Sequence, residues 1–219
     1  YSNTKVNKPW GSEYLIYENS EVALWLLKIN KGENTSLHCH PSKKTGLLLL
    51  SGQADVELGF YNTKRLSAPS KVMIRPGLFH STKALSDDGI IVIELETPVD
   101  KEDLVRYKDE YGRQEKPYEG KEAMTLLDSK DIIFDNPEFG KSYNYKFNES
   151  FVSLHRFNNL DDILSLPEDT IIAVIEGGMV SKNGSYVLSA GDIVHTETVK
   201  KLAEVFSIKS HLSILTIGS

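Results

Sequence analysis

The sequence predicts an all-β protein built from two tandem antiparallel barrels. The first observation is that short apolar runs of strand length follow one another, with Gly, Pro, Asn or Ser between them. The second is that no long run has the apolar period of a helix. The third is that the series of runs occurs twice. We therefore expect one barrel in residues 1–113 and a second in residues 114–219.

Turn residues separate the expected strands of the first half. Asn19-Ser20 follows the first run, Gly52 ends the fourth, and the period of two in residues 54–58 is typical of a half-buried strand. Residues 22–29 are apolar enough to be covered on both faces. The expected strands are residues 13–18, 22–29, 38–40, 47–50, 54–58, 71–74 and 90–96.

The second half repeats this series and has lost the residues that could bind a ligand. Its expected strands are residues 151–155, 170–175, 186–188, 192–194, 203–208 and 213–217, and helix is expected only near residues 101–111 and 160–164. Superposing the second-half Gly177 on Gly52 places Ile163 and Ser165 where the first half has His38 and His40, and after a shorter hairpin Val194 corresponds to Met73, which places Lys201 where His80 stands. The second barrel is therefore predicted to be degenerate.

Composition excludes several classes of function. A formal charge of −6 disfavours a nucleic-acid partner, since phosphate contact needs concentrated Lys and Arg. No apolar run approaches the ~18–20 residues that span a bilayer, so no membrane partner is expected. Cys39 is the only cysteine, which agrees with a reducing cytoplasm. A small molecule is the expected partner, with a homodimer as a further expectation because barrel faces and edges are often covered by a neighbour.

Three histidines form the candidate metal site. His38 and His40 are two residues apart on an expected strand and so point to the same face, while Cys39 points to the other. His80 follows the turn at Pro76-Gly77 and would be the third ligand. Neutral imidazole binds zinc, iron, copper and nickel, and a catalytic site needs about three protein ligands and an open position. Zinc is the first candidate, with iron and nickel next.

These motifs resemble those of the cupin superfamily. The first is Gly32-x5-His38-x-His40, and the second is Pro76-Gly77-x-x-His80. The resemblance implies that each half is a cupin-type jelly-roll barrel, so that the chain is a bicupin. In the cupin pattern a Glu ligand stands where this sequence has Thr45. The resemblance therefore carries over three histidine ligands and no carboxylate.

Residues 8–113 also resemble the isomerase domain of type II phosphomannose isomerases. Shared features are Pro9-Trp10-Gly11 and the run from Asp103 to Arg113, which reads Asp-x-Val-Arg-x-x-Asp-x-Tyr-Gly-Arg. The family motif Gln-x-His-x-x-Arg-x-Glu falls on His38, His40, Lys43 and Thr45. This resemblance implies a metal-dependent sugar-phosphate isomerase, similar to mannose-6-phosphate isomerase, in nucleotide-sugar or polysaccharide metabolism.

Candidate residues for that reaction lie near the two motifs. Glu94 and Glu96, two apart on one strand face, are candidate bases, with a solvent-facing strand edge as the alternative. Lys43 is a candidate catalytic residue, and Lys44 and Arg106 are candidates for binding the substrate phosphate.

Two other functions remain open at the level of sequence. One is a three-histidine Fe(II) dioxygenase, because cupins without the Glu ligand resemble thiol dioxygenases. The other is a non-catalytic cupin module that holds a sugar.

Overall fold

Strands dominate both halves of the computed structural model, which describes residues 1–219. The chain divides into two units, Tyr1–Ile133 and Phe134–Ser219. One short 3-10 helix, Lys121–Ala123, accompanies the strands of the first unit. These strands are β1 (Thr4–Lys8), β2 (Gly11–Glu18), β3 (Ala23–Ile29), β4 (Leu37–Cys39), β5 (Lys44–Ser51), β6 (Gln53–Leu58), β7 (Asn62–Ser67), β8 (Ser70–Ile74), β9 (His80–Ala84), β10 (Ile90–Thr97), β11 (Val105–Lys108) and β12 (Met124–Leu126).

Eight consecutive strands of the first unit, β3 to β10, have the strand order of a jelly roll. One sheet contains the neighbours β3, β10, β5 and β8, and the other contains β4, β9, β6 and β7. All of these pairs are antiparallel. The chain crosses repeatedly between the two sheets, as the double Greek key of a jelly roll requires. The predicted all-β class and the jelly-roll barrel of the first half are confirmed.

An apolar core joins the two sheets. Trp25 and Leu47 from the first sheet pack in one cluster with Val56 and Ala84 from the second. The first sheet is extended by β2, β1 and β12, and the second by β11. Gly11 opens β2 with φ +148°, and a Cβ at this position would lie 1.9 Å from a backbone carbonyl oxygen, so only glycine fits there.

The second unit contains one sheet and two helices. Its strands are β13 (Ser142–Phe147), β14 (Ser150–Phe157), β15 (Ile171–Val180), β16 (Tyr186–Ser189), β17 (Ile193–His195) and β18 (Ser207–Gly218), and its helices are α1 (Asp161–Leu164) and α2 (Thr196–Ala203). The strand order is β13-β14-β18-β15-β16, and β17 also pairs with β15. Ile163 of α1 and Val199 of α2 are buried in the cluster that covers one face of this sheet.

The degenerate second unit retains one of the two jelly-roll sheets. Its neighbours β14, β18, β15 and β17 correspond in chain order to β3, β10, β5 and β8 of the first unit. Helix α1 lies between β14 and β15, where the first unit has β4, and α2 lies between β17 and β18, where the first unit has β9. The two strands that carry the first unit's histidines are therefore replaced by helices.

The helix expectations are partly wrong. Helix α1 confirms the expectation near residues 160–164, but residues 101–111 form no helix and contain β11. Helix α2 was not predicted, and the strand expected at residues 203–208 begins only at Ser207. The apolar spacing of Val199, Leu202 and Ala203, which pack against the core of the second unit, is that of a helix and explains this difference.

The boundary between the units lies at residue 133 and not at residue 113, where the sequence placed it. Strand β12 pairs with β1, and the Lys5 ammonium lies 2.7 Å from a carboxylate oxygen of Asp131. These contacts attach residues 114–133 to the first unit. None of the helices has the length and apolar composition that crossing a membrane requires.

Candidate metal centre

The three predicted histidines come together inside the first unit. His38 of β4 pairs directly with His80 at the start of β9, and His40 follows the end of β4. The ring centroids are 5.0 Å apart for His38 and His40, 4.4 Å for His38 and His80, and 5.3 Å for His40 and His80. All three side chains are buried. The alternation expected along the His38–His40 strand therefore produces one cluster.

Backbone carbonyl groups orient all three imidazoles. The Nδ1–H of His38 donates to the Ser36 carbonyl at 2.8 Å, that of His40 to the Asp103 carbonyl at 2.7 Å, and that of His80 to the Leu78 carbonyl at 3.0 Å. A carbonyl oxygen can only accept, so each Nδ1 carries the proton and each Nε2 keeps its lone pair. A hydrogen bond of this kind behind a metal ligand fixes its tautomer and its orientation.

The histidines are held in the neutral form that binds a metal. Burial, with the neighbouring His80 and His40, lowers the pKa of His38 well below its usual value. Burial and the nearby Lys43 ammonium lower the pKa of His40 to about 4. Burial lowers the pKa of His80 to about 4 as well. At neutral pH all three side chains are thus unprotonated at Nε2.

The donor set fits a divalent ion. One ligand atom from each histidine lies within 4.8 Å of those of the other two, and the Nε2 atoms of His40 and His80 are buried without a hydrogen-bond partner in the protein. An unsatisfied buried nitrogen is costly unless something binds it. Three buried imidazole nitrogens facing one point could therefore hold a metal ion.

Both candidate carboxylates face the interior and not the solvent. Glu94 and Glu96 of β10 have 8% and 1% of their surface exposed, which excludes the solvent-facing strand edge considered from the sequence. A carboxylate oxygen of Glu94 lies 3.9 Å from Nε2 of His40. A carboxylate oxygen of Glu96 lies 3.1 Å from the ammonium nitrogen of Lys43 and 3.5 Å from that of Lys101. Burial raises the pKa of Glu96, although both lysines oppose this effect.

The two neighbouring lysines of the sequence prediction differ in position. Lys43 is 1% exposed and lines the cavity beside the histidines. Lys44 begins β5, is only partly buried, and does not line this cavity. Successive side chains of an extended segment point to opposite sides, which is why only one of the two faces inward. Lys44 is therefore not placed to bind a ligand of the metal site.

Arg106 lies on β11 opposite His38. Its guanidinium donates to the carbonyl oxygens of Lys116 and Pro117 at 2.7 and 3.0 Å, and it lies 3.6 Å from Glu119. Its Nε atom is buried without a hydrogen-bond partner, and the side chain lines the cavity. Arg106 thus retains a donor for a bound anion.

Asp103 is a site residue that the sequence reasoning did not identify as such. Its carbonyl oxygen accepts from His40, and its carboxylate accepts from the backbone N–H groups of Ser42 and Lys43, both at 2.9 Å. One residue therefore positions a candidate ligand and the cavity lysine. The sequence signal was available, since Asp103 opens the motif shared with the phosphomannose isomerases.

A buried charge network around Glu13 was also missed. The Glu13 carboxylate lies 3.3 Å from the Lys101 ammonium and 3.4 Å from that of Lys8, and it accepts a hydrogen bond from the Tyr118 hydroxyl. Lys101 also lies 3.8 Å from the ring centroid of Trp25. Burial alone would raise the pKa of Glu13, but Lys101, Lys8 and the Tyr118 hydrogen bond lower it to about 2. The signal in the sequence was that Glu13 is a charged residue in an expected strand that is otherwise largely apolar.

Many of these groups, but not His80 or Asp103, line one cavity of about 460 Å³, solvent at its mouth included. Most of its lining residues are charged or polar, although the larger part of the surface that they expose to the cavity is apolar, so the cavity suits a ligand with both polar groups and apolar surface. The lining residues are Lys8, Trp10, Glu13, Leu27, Thr35, Ser36, His38, His40, Lys43, Glu94, Glu96, Lys101, Leu104, Arg106, Arg113 and Tyr118.

Comparison with protein-family models and with curated proteins finds no match. Among solved structures, the chain is similar to KdgF from a Halomonas species, with 22% identity and a TM-score of 0.40 over 42% of this chain and 84% of that one. It is similar to the capsular polysaccharide assembling protein CapF from Staphylococcus aureus, with 17% identity and a TM-score of 0.44 over 48% and 34%. It is also similar to the cupin domain of Schizosaccharomyces pombe Cnp3, with 11% identity and a TM-score of 0.37 over 39% and 59%. Each match covers less than half of this chain, so the fold assignment depends on the strand order described above.

Proposed function

We propose that the first unit is a metal-dependent isomerase that interconverts a phosphorylated aldohexose and ketohexose, such as mannose 6-phosphate and fructose 6-phosphate. The observation that carries the proposal is that three buried neutral histidines cluster together, and that two of them, His38 and His40, line one cavity with two buried carboxylates, Glu94 and Glu96. This combination would supply both a metal site and a general base. Zinc is the first candidate for the ion, and nucleotide-sugar or polysaccharide synthesis in the cytoplasm is the proposed context.

The reaction needs a base that moves one proton between two carbons. The base removes the proton from C2 of the aldose and returns it to C1, while a second proton passes from O2 to O1. Glu94 or Glu96 would carry the carbon-bound proton, and Lys43 beside Glu96 would stabilise the carboxylate after it has released the proton. A divalent ion on the histidines would polarise the carbonyl and hydroxyl oxygens of the sugar.

One cation of the cavity would hold the phosphate. Arg106 offers its unpaired Nε–H. Charge-assisted hydrogen bonds to phosphate are about twice as strong as neutral ones, so this group would orient the sugar as well as bind it. Lys44, outside the cavity, takes no part in this proposal.

Proton exchange tests the proposal directly. The protein is loaded with Zn²⁺ and incubated in D2O with mannose 6-phosphate and fructose 6-phosphate, and NMR is used to detect deuterium at C1 or C2. We expect exchange in the natural protein and none in His40→Ala. The matched control is His195→Ala, which removes an exposed histidine of the second unit and should leave exchange unchanged.

The other outcomes contradict the isomerase proposal in different ways. Saturable binding of a sugar phosphate without exchange would indicate a sugar-holding module. Metal-dependent O2 consumption with a thiol would indicate a dioxygenase. Absence of exchange across a panel of aldose and ketose phosphates, with the metal bound, would refute the isomerase.

A further inference from the structure

The first sheet supplies carboxylates next to the position where the cupin carboxylate is missing. Thr45 of β5 is the direct cross-strand partner of Glu96 in β10. Directly paired residues on neighbouring strands point to the same face, and Glu94, two residues from Glu96, shares that face. The sheet face that has Thr45 where the cupin pattern has a carboxylate therefore carries two carboxylates, Glu94 and Glu96, on the adjacent strand.

Of this pair, Glu94 is the residue whose carboxylate contacts a histidine nitrogen. Two atoms bound to one ion at about 2.1 Å can be at most about 4.2 Å apart. The 3.9 Å between a Glu94 carboxylate oxygen and Nε2 of His40 satisfies this limit. Glu96 is engaged differently, because one of its oxygens contacts the ammonium groups of Lys43 and Lys101.

The charge of the site also favours one carboxylate ligand. Three neutral imidazoles leave the full double charge of a divalent ion inside a buried cavity, where an uncompensated charge is costly. The carboxylate of Glu96 is already paired with the Lys43 ammonium, so its negative charge is compensated there and not by the ion. Glu94 is 8% exposed and is the carboxylate that faces His40.

We propose that Glu94 is a fourth protein ligand of the metal, supplied by β10 in place of the carboxylate that residue 45 lacks. The ligand set would be His38, His40, His80 and Glu94. The assignment deepens the proposed function and depends on its metal site, and it leaves Glu96, paired with Lys43, as the group that carries the proton. It does not require that the substrate be a sugar phosphate.

Two matched variants test the assignment, since Glu94→Gln and Glu96→Gln remove the same charge from the same face of one strand. The probe is Co²⁺, whose visible absorption bands report the ligands bound to it. We expect Glu94→Gln to weaken Co²⁺ binding at least tenfold and to change these bands. Glu96→Gln should change the Co²⁺ affinity only because a nearby negative charge is removed, and its bound Co²⁺ should keep the spectrum that it has in the natural protein. Thermal unfolding followed by tryptophan fluorescence confirms that both variants are folded.

An unchanged spectrum in Glu94→Gln, or the same spectral change in both variants, would overturn the assignment. A crystal structure of the natural protein grown with Zn²⁺ gives a test that needs no variant. A Glu94 oxygen should lie at about 2.0–2.2 Å from the zinc, and a distance beyond about 3 Å would refute the proposal. A failure of the isomerase proposal would look different. Proton exchange would be absent, while the Co²⁺ spectra and the zinc distance would still identify Glu94 as a ligand.

Discussion

Removing the Glu13 carboxylate should destabilise the first unit more than most single substitutions do. In Glu13→Gln, the ammonium groups of Lys8 and Lys101 remain in the interior, with 4% and 13% of their side-chain surface exposed, and lose the carboxylate that contacts both, while Lys8 keeps Glu119 and Lys101 keeps Glu96. Breaking a buried ion pair by removing one partner typically costs about 3–5 kcal/mol. Because each ammonium keeps one carboxylate partner, we expect the free energy of unfolding of this unit to fall by about 3 kcal/mol at pH 7, the lower end of that range.

The pH dependence gives an independent measure of the same interaction. The pKa of Glu13 is about 2 in the folded protein, against 4.5 for an ordinary glutamate. Because the folded pKa is depressed, the stabilisation is complete above about pH 4.5 and is lost as the pH falls towards 2. A difference of about 2.5 units corresponds to roughly 3 kcal/mol, in agreement with the cost expected for the broken pair.

Tryptophan fluorescence is a suitable probe because both tryptophans, Trp10 and Trp25, belong to the first unit. Urea unfolding of the natural protein and of Glu13→Gln would be followed between pH 7 and pH 2.5. The two curves should differ most at pH 7 and converge as the pH approaches 2.5. A difference below about 1 kcal/mol at pH 7, or one that does not shrink in acid, would refute the reasoning.

Three further outcomes are expected. Asp103→Ala removes the acceptor of two backbone N–H groups and should weaken Zn²⁺ binding by about 10- to 100-fold in a calorimetric titration. Asp103→Asn keeps one acceptor oxygen and should therefore lose less Zn²⁺ affinity. Lys43→Met should slow proton exchange in the sugar phosphate about tenfold or more, because the Glu96 carboxylate loses its partner, while Lys44→Met, outside the cavity, should leave exchange unchanged. Gly11→Ala should cost about 2–4 kcal/mol in urea unfolding because its Cβ has no room, whereas Gly32→Ala, with open space around it, should cost about 1 kcal/mol for its positive φ.

The histidine cluster could be predicted from the sequence because the direction of a side chain in a strand depends only on its position along that strand. The alternation of side chains determines that His38 and His40 share a face, and the antiparallel pairing of β4 with β9 brings His80 beside His38. The same alternation of side chains predicts that Glu94 and Glu96 lie on one face of their strand. Which face they share depends on the sheet opposite, and the structure was needed to place both in the interior.

The alternation of side chains along a strand gives no prediction across a turn of the chain. Pro41-Ser42 separates His40 from the next strand, so the alternation cannot be carried across to decide whether Lys43 or Lys44 faces inward. The segment after β10 poses a different problem. Its charges resemble a solvated surface, and the burial of Lys101 depends on Glu13, a residue almost ninety positions earlier. Such an interaction leaves no periodic signal in the sequence.

The second unit shows that the loss of a site can involve the fold as well as its ligands. The residues that correspond to His38 and His80 are Ile163, on α1, and Lys201, on α2. Side chains two apart on a helix point in nearly opposite directions, so a His-x-His pair placed on α1 could not converge on one ion. Ile163 is also fully buried in the apolar cluster, where a polar ring would be costly. Restoring the histidines alone would therefore not restore a metal site in the second unit.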